Sequence, residues 1–306
     1  MKTPPAIWTF PFLLMIAVTT VGAWGEKGHV MTARVAVRNL PPDMPEFFRK
    51  SEVELGYLCP EPDRWRNFRR EPALFALHTY DHGVRTEWLP PSLPPNRYEY
   101  VLLFAGKPKP GGGVHDHTSM GFAPYAIAER LEMLTVNFML WRKAAETTAD
   151  ERRIKRQIEQ NIIHIAGLLG HFVTDNGMPL HTSIHSAGWN RIQPNPKEYA
   201  VTKSAATSIH SRFETDFVRT IEEREFEPLL AAPRTRGGPW LEEGLAHIRK
   251  SNEYVETVFA LDKATPFGSG KESPEARRFT CERLAFSAEA LRDFWYSAWV
   301  RSATLP

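Results

Sequence analysis

A helical period runs through most of this chain and limits it to one broad class of fold. Ile154, Ile158, Ile162, Ile165, Leu168 and Leu169 recur at steps of three and four residues. So do Ile127, Leu131, Leu134, Phe138 and Trp141, behind a Pro124 suited to a helix start. Similar patterns cover 29–39, 43–57, 204–226, 240–262 and 273–300, and convincing runs of strand-type alternation are absent. Apolar positions with this period form stripes that helices bury against one another, so the sequence predicts an all-α fold. No internal repeat, linker or composition shift divides the chain, and residues 24–306 read as one compact multi-helix domain. Irregular stretches fall at 82–120, with Pro90, Pro91, Pro94, Pro95 and the run Gly111-Gly112-Gly113, and at 183–203. Loops of that length in a compact domain are more often rims or flaps of a site than idle connectors.

Residues 1–23 have a different character. Lys2, an apolar stretch from Ala6 to Val18, and Val21-Gly22-Ala23 supply the parts of an export signal, with small residues where a signal peptidase inspects the chain. Its apolar core of about 13 residues is short of the roughly 20 needed to span a bilayer. The expectation is a signal peptide removed after Ala23, no transmembrane anchor afterwards, and a secreted or periplasmic protein that starts at Trp24. Of the 38 basic residues, all but Lys2 remain, against 36 acidic ones. That balance argues against a protein gripping duplex nucleic acid through a broad basic surface. Cys59 and Cys281 are the only cysteines, so no thiolate cluster can hold metals. Export permits one bridge between them, and the sequence alone leaves open whether they meet.

The chemistry concentrates in His171-Phe172-Val173-Thr174-Asp175-Asn176-Gly177-Met178-Pro179-Leu180-His181. His171 and Asp175 are four apart near the end of an apolar helix and project from one face. Gly177 and Pro179 break that helix and let His181 swing back toward it. His210 and Glu214 repeat the four-residue spacing. An imidazole and a carboxylate so placed form half of a zinc site, although one such pair alone is usually a solvated ion pair. At the N-terminus, cleavage before Trp24 would put a free amine and a carbonyl five residues from His29, a ready chelate.

Five segments, WGEKGH from Trp24, PDRWR around Asp63, HTYD from His78, HFVTDNGMPLH and HSRFE, resemble the superfamily of zinc-dependent phospholipases C and S-one/P-one single-strand nucleases. They stand in the family's order and span 24–214. The resemblance implies an all-α fold that holds three zinc ions in one cleft. One would take Asp63, His78, His171 and Asp175. A second would take the Trp24 amine and carbonyl, His29 and the other oxygen of Asp175, and a third His181, His210 and Glu214.

The chemistry of that set agrees with catalytic metal. Imidazoles, carboxylates and an amine without thiolate suit zinc that keeps open positions for water. Three carboxylates against three dications leave a positive surplus that attracts phosphate. A carboxylate shared by two metals implies a spacing of about 3.5–4 Å, as used for in-line displacement at phosphorus. Asp63 and Asp175 are thus catalytic candidates, and Arg66, three residues after Asp63, is a candidate clamp for the phosphoryl charge. Other features have plainer readings. His164 reads as a core histidine, His185 as the chief competitor of His181, and His115 and His117 as lining a loop. Arg69-Arg70 and Arg152-Arg153 with Arg156 read as solvated faces, and Trp141, Trp240, Trp295 and Trp299 as core.

The substrate signals divide. The step from Trp24 to His29 and the position of Arg66 resemble the nucleases, whereas Glu214 and the His-x-Tyr-Asp turn at 78–81 resemble the phospholipases. Thr79 stands where the nucleases often carry a base-stacking aromatic, and Met178 where glutamine is usual. The expected function is hydrolysis of phosphodiester bonds in single-stranded nucleic acid, with phospholipid as the alternative and a non-catalytic zinc-binding protein as the reading from another class.

Overall fold

The computed structural model describes residues 24–68, 70–201 and 207–305, so the export-signal reading of 1–23 and the reading of Arg69 lie outside the described residues. Among these the regular structure is helical, with one isolated bridge between Pro108 and Val114 and no sheet. The all-α expectation holds. Among the described residues no helix is long and apolar enough to cross a membrane.

Five helices carry the core: α1 (Gly25–Arg38), α2 (Ala123–Lys143), α3 (Ala149–Asp175), α4 (Trp240–Asn252) and α5 (Pro274–Arg301). α2 and α3 form the most extensive pair, and α5 packs on α1, α2 and α3. Ala33 and Val37 of α1, Leu131 and Phe138 of α2, Leu169 and Phe172 of α3, and Phe294 and Trp295 of α5 share one apolar cluster. A second cluster gathers Trp24, Met178, Phe213, Phe217, Phe259 and Phe279. His29 and Thr32 of α1 are buried polar residues outside both clusters.

Helix α3 explains how polar side chains reach the interior. Thr148 caps it, in a capping box with Glu151 that satisfies otherwise unpaired donors of the first turn. Its first turns hold no buried residue, with Ile154 exposed, and burial begins at Ile162. Every residue from Leu169 to Asp175 is buried, so the helix ends enclosed on all sides. Glycines allow that end to press against its neighbour. A Cβ at Gly167 would collide with Leu58 Cβ, and one at Gly170 would lie 3.1 Å from Cys59 Sγ. Gly167→Ala is therefore expected to lower stability by about 1–3 kcal/mol despite the better helix propensity of alanine, because Leu58 Cβ is fixed to its backbone and cannot swing aside. A urea midpoint at or above wild type would contradict this close approach.

Several boundaries differ from the periodicity. The 43–57 pattern is two helices, Glu46–Arg49 and Glu52–Leu58, and the 240–262 pattern divides into α4 and Val255–Ala264. Of the 204–226 pattern, 204–206 lie outside the described residues and the rest is a succession of short turns, Ile209–Ser211, a π-turn Arg212–Phe217, Val218–Thr220 and Glu223–Phe226. The 82–120 stretch holds an unanticipated helix, Arg97–Phe104, started by Asn96 accepting from the N–H groups of Tyr98 and Glu99. His164 is exposed rather than in the core. Trp240 and Trp295 are core, with Trp141 and Trp299 partly buried against it. Cys59 and Cys281 are both buried and unpaired, in different apolar clusters.

Candidate metal centre

Three groups of mostly buried side chains, His29 with Asp63 and His171, His82 with His171 and Asp175, and His181 with His210 and Glu214, each place their ligand atoms within 4.8 Å of one another. These groups could hold metal ions. The first two share His171, and the third adjoins them where His181 approaches Asp175. Asp175 Oδ2 lies 2.9 Å from His82 Nδ1 and 3.2 Å from His171 Nε2. Its other oxygen, Oδ1, lies 3.2 Å from His29 Nε2 and 3.9 Å from His181 Nε2. Glu214 Oε2 then lies 3.3 Å from His181 Nε2 and 2.9 Å from His210 Nε2. Ligand atoms about 2.0–2.1 Å from a tetrahedral metal stand about 3.3 Å from one another. The observed separations cluster around that edge length.

The imidazoles are aimed by their other nitrogen. His171 Nδ1 is 2.9 Å from the Cys59 carbonyl, His181 Nδ1 3.0 Å from the His82 carbonyl, and His210 Nδ1 2.9 Å from the Ser186 carbonyl. A carbonyl only accepts, so each Nδ1 carries the hydrogen and each Nε2 turns a lone pair inward, the usual outer support of a metal ligand. His29 Nδ1 faces Cys59 Sγ at 3.8 Å, and its Nε2 is buried without a hydrogen bond, as is Asp175 Oδ1. Unpaired buried atoms facing each other are what a cation between them would satisfy.

Electrostatics favour the ligand forms of Asp175, Glu214, His82 and His171. Burial opposes the Asp175 and Glu214 charges, yet His171 and His181 hold the Asp175 carboxyl well below the usual range, and His210 and His181 bring Glu214 to about 2. Burial, then the Arg66 charge, keeps His82 neutral, and burial does the same for His171. Burial also works against a charge on His29 and His181, but Asp175 with Cys59 at the first, and Asp175 with Glu214 at the second, together outweigh it and raise both. The demand for positive charge is thus greatest around Asp175 Oδ1.

His82, which is not among the ligands expected from the sequence, stands beside Asp63, His171 and Asp175: its Nδ1 is 3.6 Å from Asp63 Oδ1 and 2.9 Å from His171 Nε2, whereas His78 is in none of the three groups and its Nδ1 is buried without a hydrogen bond. The helix Pro72–Thr79 ends before Tyr80, and the chain then turns inward, fixed by Val84 N–H donating to the His181 carbonyl. His78 remains on the helix, packed on Trp65 with ring centres 4.8 Å apart, and burial with the Arg130 charge lowers it to about 4. The signal for His82 is a second histidine four residues after His78, just past the end of the helix. Asp81 of that turn is a buried anchor, 3.1 Å from Arg97 and 3.7 Å from Arg130.

Trp24 reaches the array through its backbone. Its backbone N–H donates to Glu214 Oε2 at 3.0 Å, placing it beside the His181 group, and its carbonyl accepts from Gly28 N–H as the first bond of α1. The indole is fully buried and donates to the Thr174 carbonyl at 2.7 Å. Trp24 adopts φ 42°, a costly left-handed conformation for a bulky residue. Arg66 reaches Asp63 Oδ1 at 2.8 Å. His185 is no ligand, since its Nδ1 accepts from Asn190 N–H and its ring stacks on Trp189 at 4.0 Å. His115 is buried against Trp88 and Phe104, and His117 is exposed in the same loop. Comparison with known protein families and with curated proteins finds no match to this chain.

Proposed function

We propose that this protein is an exported zinc-dependent phosphoesterase that cleaves phosphodiester bonds in single-stranded nucleic acid. The observation that carries the reading is the continuous array of thiolate-free ligands joined through the two oxygens of Asp175. Asp63, His82, His171 and Asp175 Oδ2 would hold one ion, His29 and Asp175 Oδ1 with the Trp24 backbone a second, and His181, His210 and Glu214 a third. Zinc bound there would supply Lewis-acid chemistry, acidifying water toward neutral pH and neutralising phosphate oxygens. Around it the protein orients: carbonyls of Cys59, His82 and Ser186 lock three imidazoles, and Arg66, fixed by Asp63, presents its remaining N–H groups to a phosphoryl oxygen. A metal count by plasma emission spectroscopy with turnover of bis-p-nitrophenyl phosphate tests the reading. Bound zinc without turnover would favour a non-catalytic zinc-binding protein.

Phospholipid is the second reading, favoured by Glu214 in the third group. The other likeness to phospholipases is weaker, because Asp81 of the His-x-Tyr-Asp turn is bound by two arginines. Thr79 offers no stacking face, since its hydroxyl donates to the Phe75 carbonyl. Half-buried Trp65, between Asp63 and Arg66 in sequence, supplies an aromatic surface instead. Assayed side by side, denatured DNA or RNA is expected to be cut faster than duplex DNA and phosphatidylcholine. Turnover of phosphatidylcholine with neither nucleic acid cut would overturn the nuclease reading.

The N-terminus gives a further expected result. With Trp24 as first residue, its N–H becomes a free amine, and no preceding carbonyl remains to crowd its Cβ at positive φ. A protein retaining one residue ahead of Trp24 should fold yet lose one metal ion and most activity, both restored when a protease frees Trp24. Unchanged metal content and rate in the extended protein would show that Trp24 is only a buried anchor.

A further inference from the structure

Apart from the metal array, a cavity of about 300 Å³ opens between α4, the segment 234–237 and Phe286 of α5. Arg234, Arg236, Lys250, His247 and a single carboxylate, Glu243, line it. The size is at the lower end for a ligand pocket, about 300 Å³ upward. His247 is 3 % exposed, stacks on Phe286 with ring centres 4.8 Å apart, and places Nε2 2.9 Å from the Val173 carbonyl. That carbonyl only accepts, so Nε2 carries the hydrogen and Nδ1 presents a lone pair, which is buried and meets no partner among the described residues.

Around this acceptor, donors lack acceptors. Arg236 Nε and Arg283 Nε and Nη1 are buried without a hydrogen bond. Guanidinium nitrogens only donate, so no rearrangement among them resolves the deficit. Arg236 lies over Phe294 at 4.2 Å and its Nη1 forms a 3.5 Å ion pair with Glu243, which leaves Nε unmet. Arg283 does not line the cavity but lies over Tyr254 at 3.9 Å and over the lining Phe286 at 5.1 Å. Lys250 pairs with Glu253 at the solvent edge, where such a pair contributes little, whereas Arg234 reaches in from the surface to the buried Asp293. Burial and then the Arg236 and Arg283 charges push His247 down to about 3, a sign of the positive potential inside.

We propose that this pocket binds inorganic phosphate, with the Arg236 and Lys250 side chains donating to its oxygens and His247 Nδ1 accepting from its P–O–H. The O–H is the discriminating element. At neutral pH sulfate has the shape and charge of hydrogen phosphate but no proton to donate, so it would face the His247 lone pair with an oxygen lone pair. The inference is independent of the metal reading, since none of these residues belongs to the array.

Isothermal titration of the full, metal-loaded chain with inorganic phosphate and with sulfate, at pH 7 and ionic strength fixed with chloride, tests it. Phosphate is expected to bind at least about tenfold more tightly than sulfate, the worth of one good hydrogen bond. His247→Phe should keep the ring stack and remove the preference, and Lys250→Glu should weaken both anions by about tenfold or more. Lys250 is at the surface, so this variant keeps the test decisive even where His247→Phe fails to fold. Phosphate held at the metal array would be indifferent to both substitutions. Equal affinity for the two anions, or phosphate binding unchanged by Lys250→Glu, would overturn the proposal.

Discussion

Asp175→Asn is expected to cost the protein more than one metal ion per chain and to lower turnover of bis-p-nitrophenyl phosphate by about a thousandfold or more. Its two oxygens face different partners, His82 and His171 on one side and His29 and His181 on the other. An amide offers one neutral oxygen where two charged ones stood, so both neighbouring positions lose a ligand. The charge matters as much as the geometry, because Asp175 remains ionised although fully buried. The fold should survive, since the end of α3 is held by Phe172 and Val173 in the apolar core. Plasma emission spectroscopy on the purified variant decides the point, and retention of the full metal complement would remove Asp175 from its bridging position.

The second large effect separates two histidines four residues apart. His82→Ala should lose a metal ion and about a hundredfold or more in rate, whereas His78→Ala should keep every ion and lose only the packing of a buried ring on Trp65. The contrast follows from Nδ1 of His82 standing 2.9 Å from both Asp175 Oδ2 and His171 Nε2. The reverse pattern, with metal lost in His78→Ala and kept in His82→Ala, would return the ligand role to His78. Gly83 offers a check that leaves both histidines in place. A Cβ there would collide with the His181 carbonyl, so Gly83→Ala should push His82 out of the array and reproduce the metal loss of His82→Ala in milder form.

Local patterns made much of this protein legible. A 3.6-residue period is a property of the backbone, so the long helices α2, α3 and α5 were readable wherever the stripe was long. Four-residue spacings place side chains on one helical face whatever surrounds them, which is why His171 with Asp175 could be paired in advance. His210 and Glu214 do meet, through a π-turn that the spacing alone did not reveal.

The remainder depended on contacts remote in sequence. His78 and His82 both lie near one helix end, and the choice between them rests on where the chain turns after Thr79, which the Val84 bond to the His181 carbonyl sets from about a hundred residues away. The Trp24 N–H faces Glu214 across 190 residues. The cationic pocket around His247 joins three chain segments with no common motif. The sequence by itself thus determined helix content and which residue types could serve as ligands, because these follow from periodicity and side-chain chemistry. Only the tertiary structure decided which histidine faces Asp175 and which arginines are left without acceptors, because both depend on where distant segments close on one another.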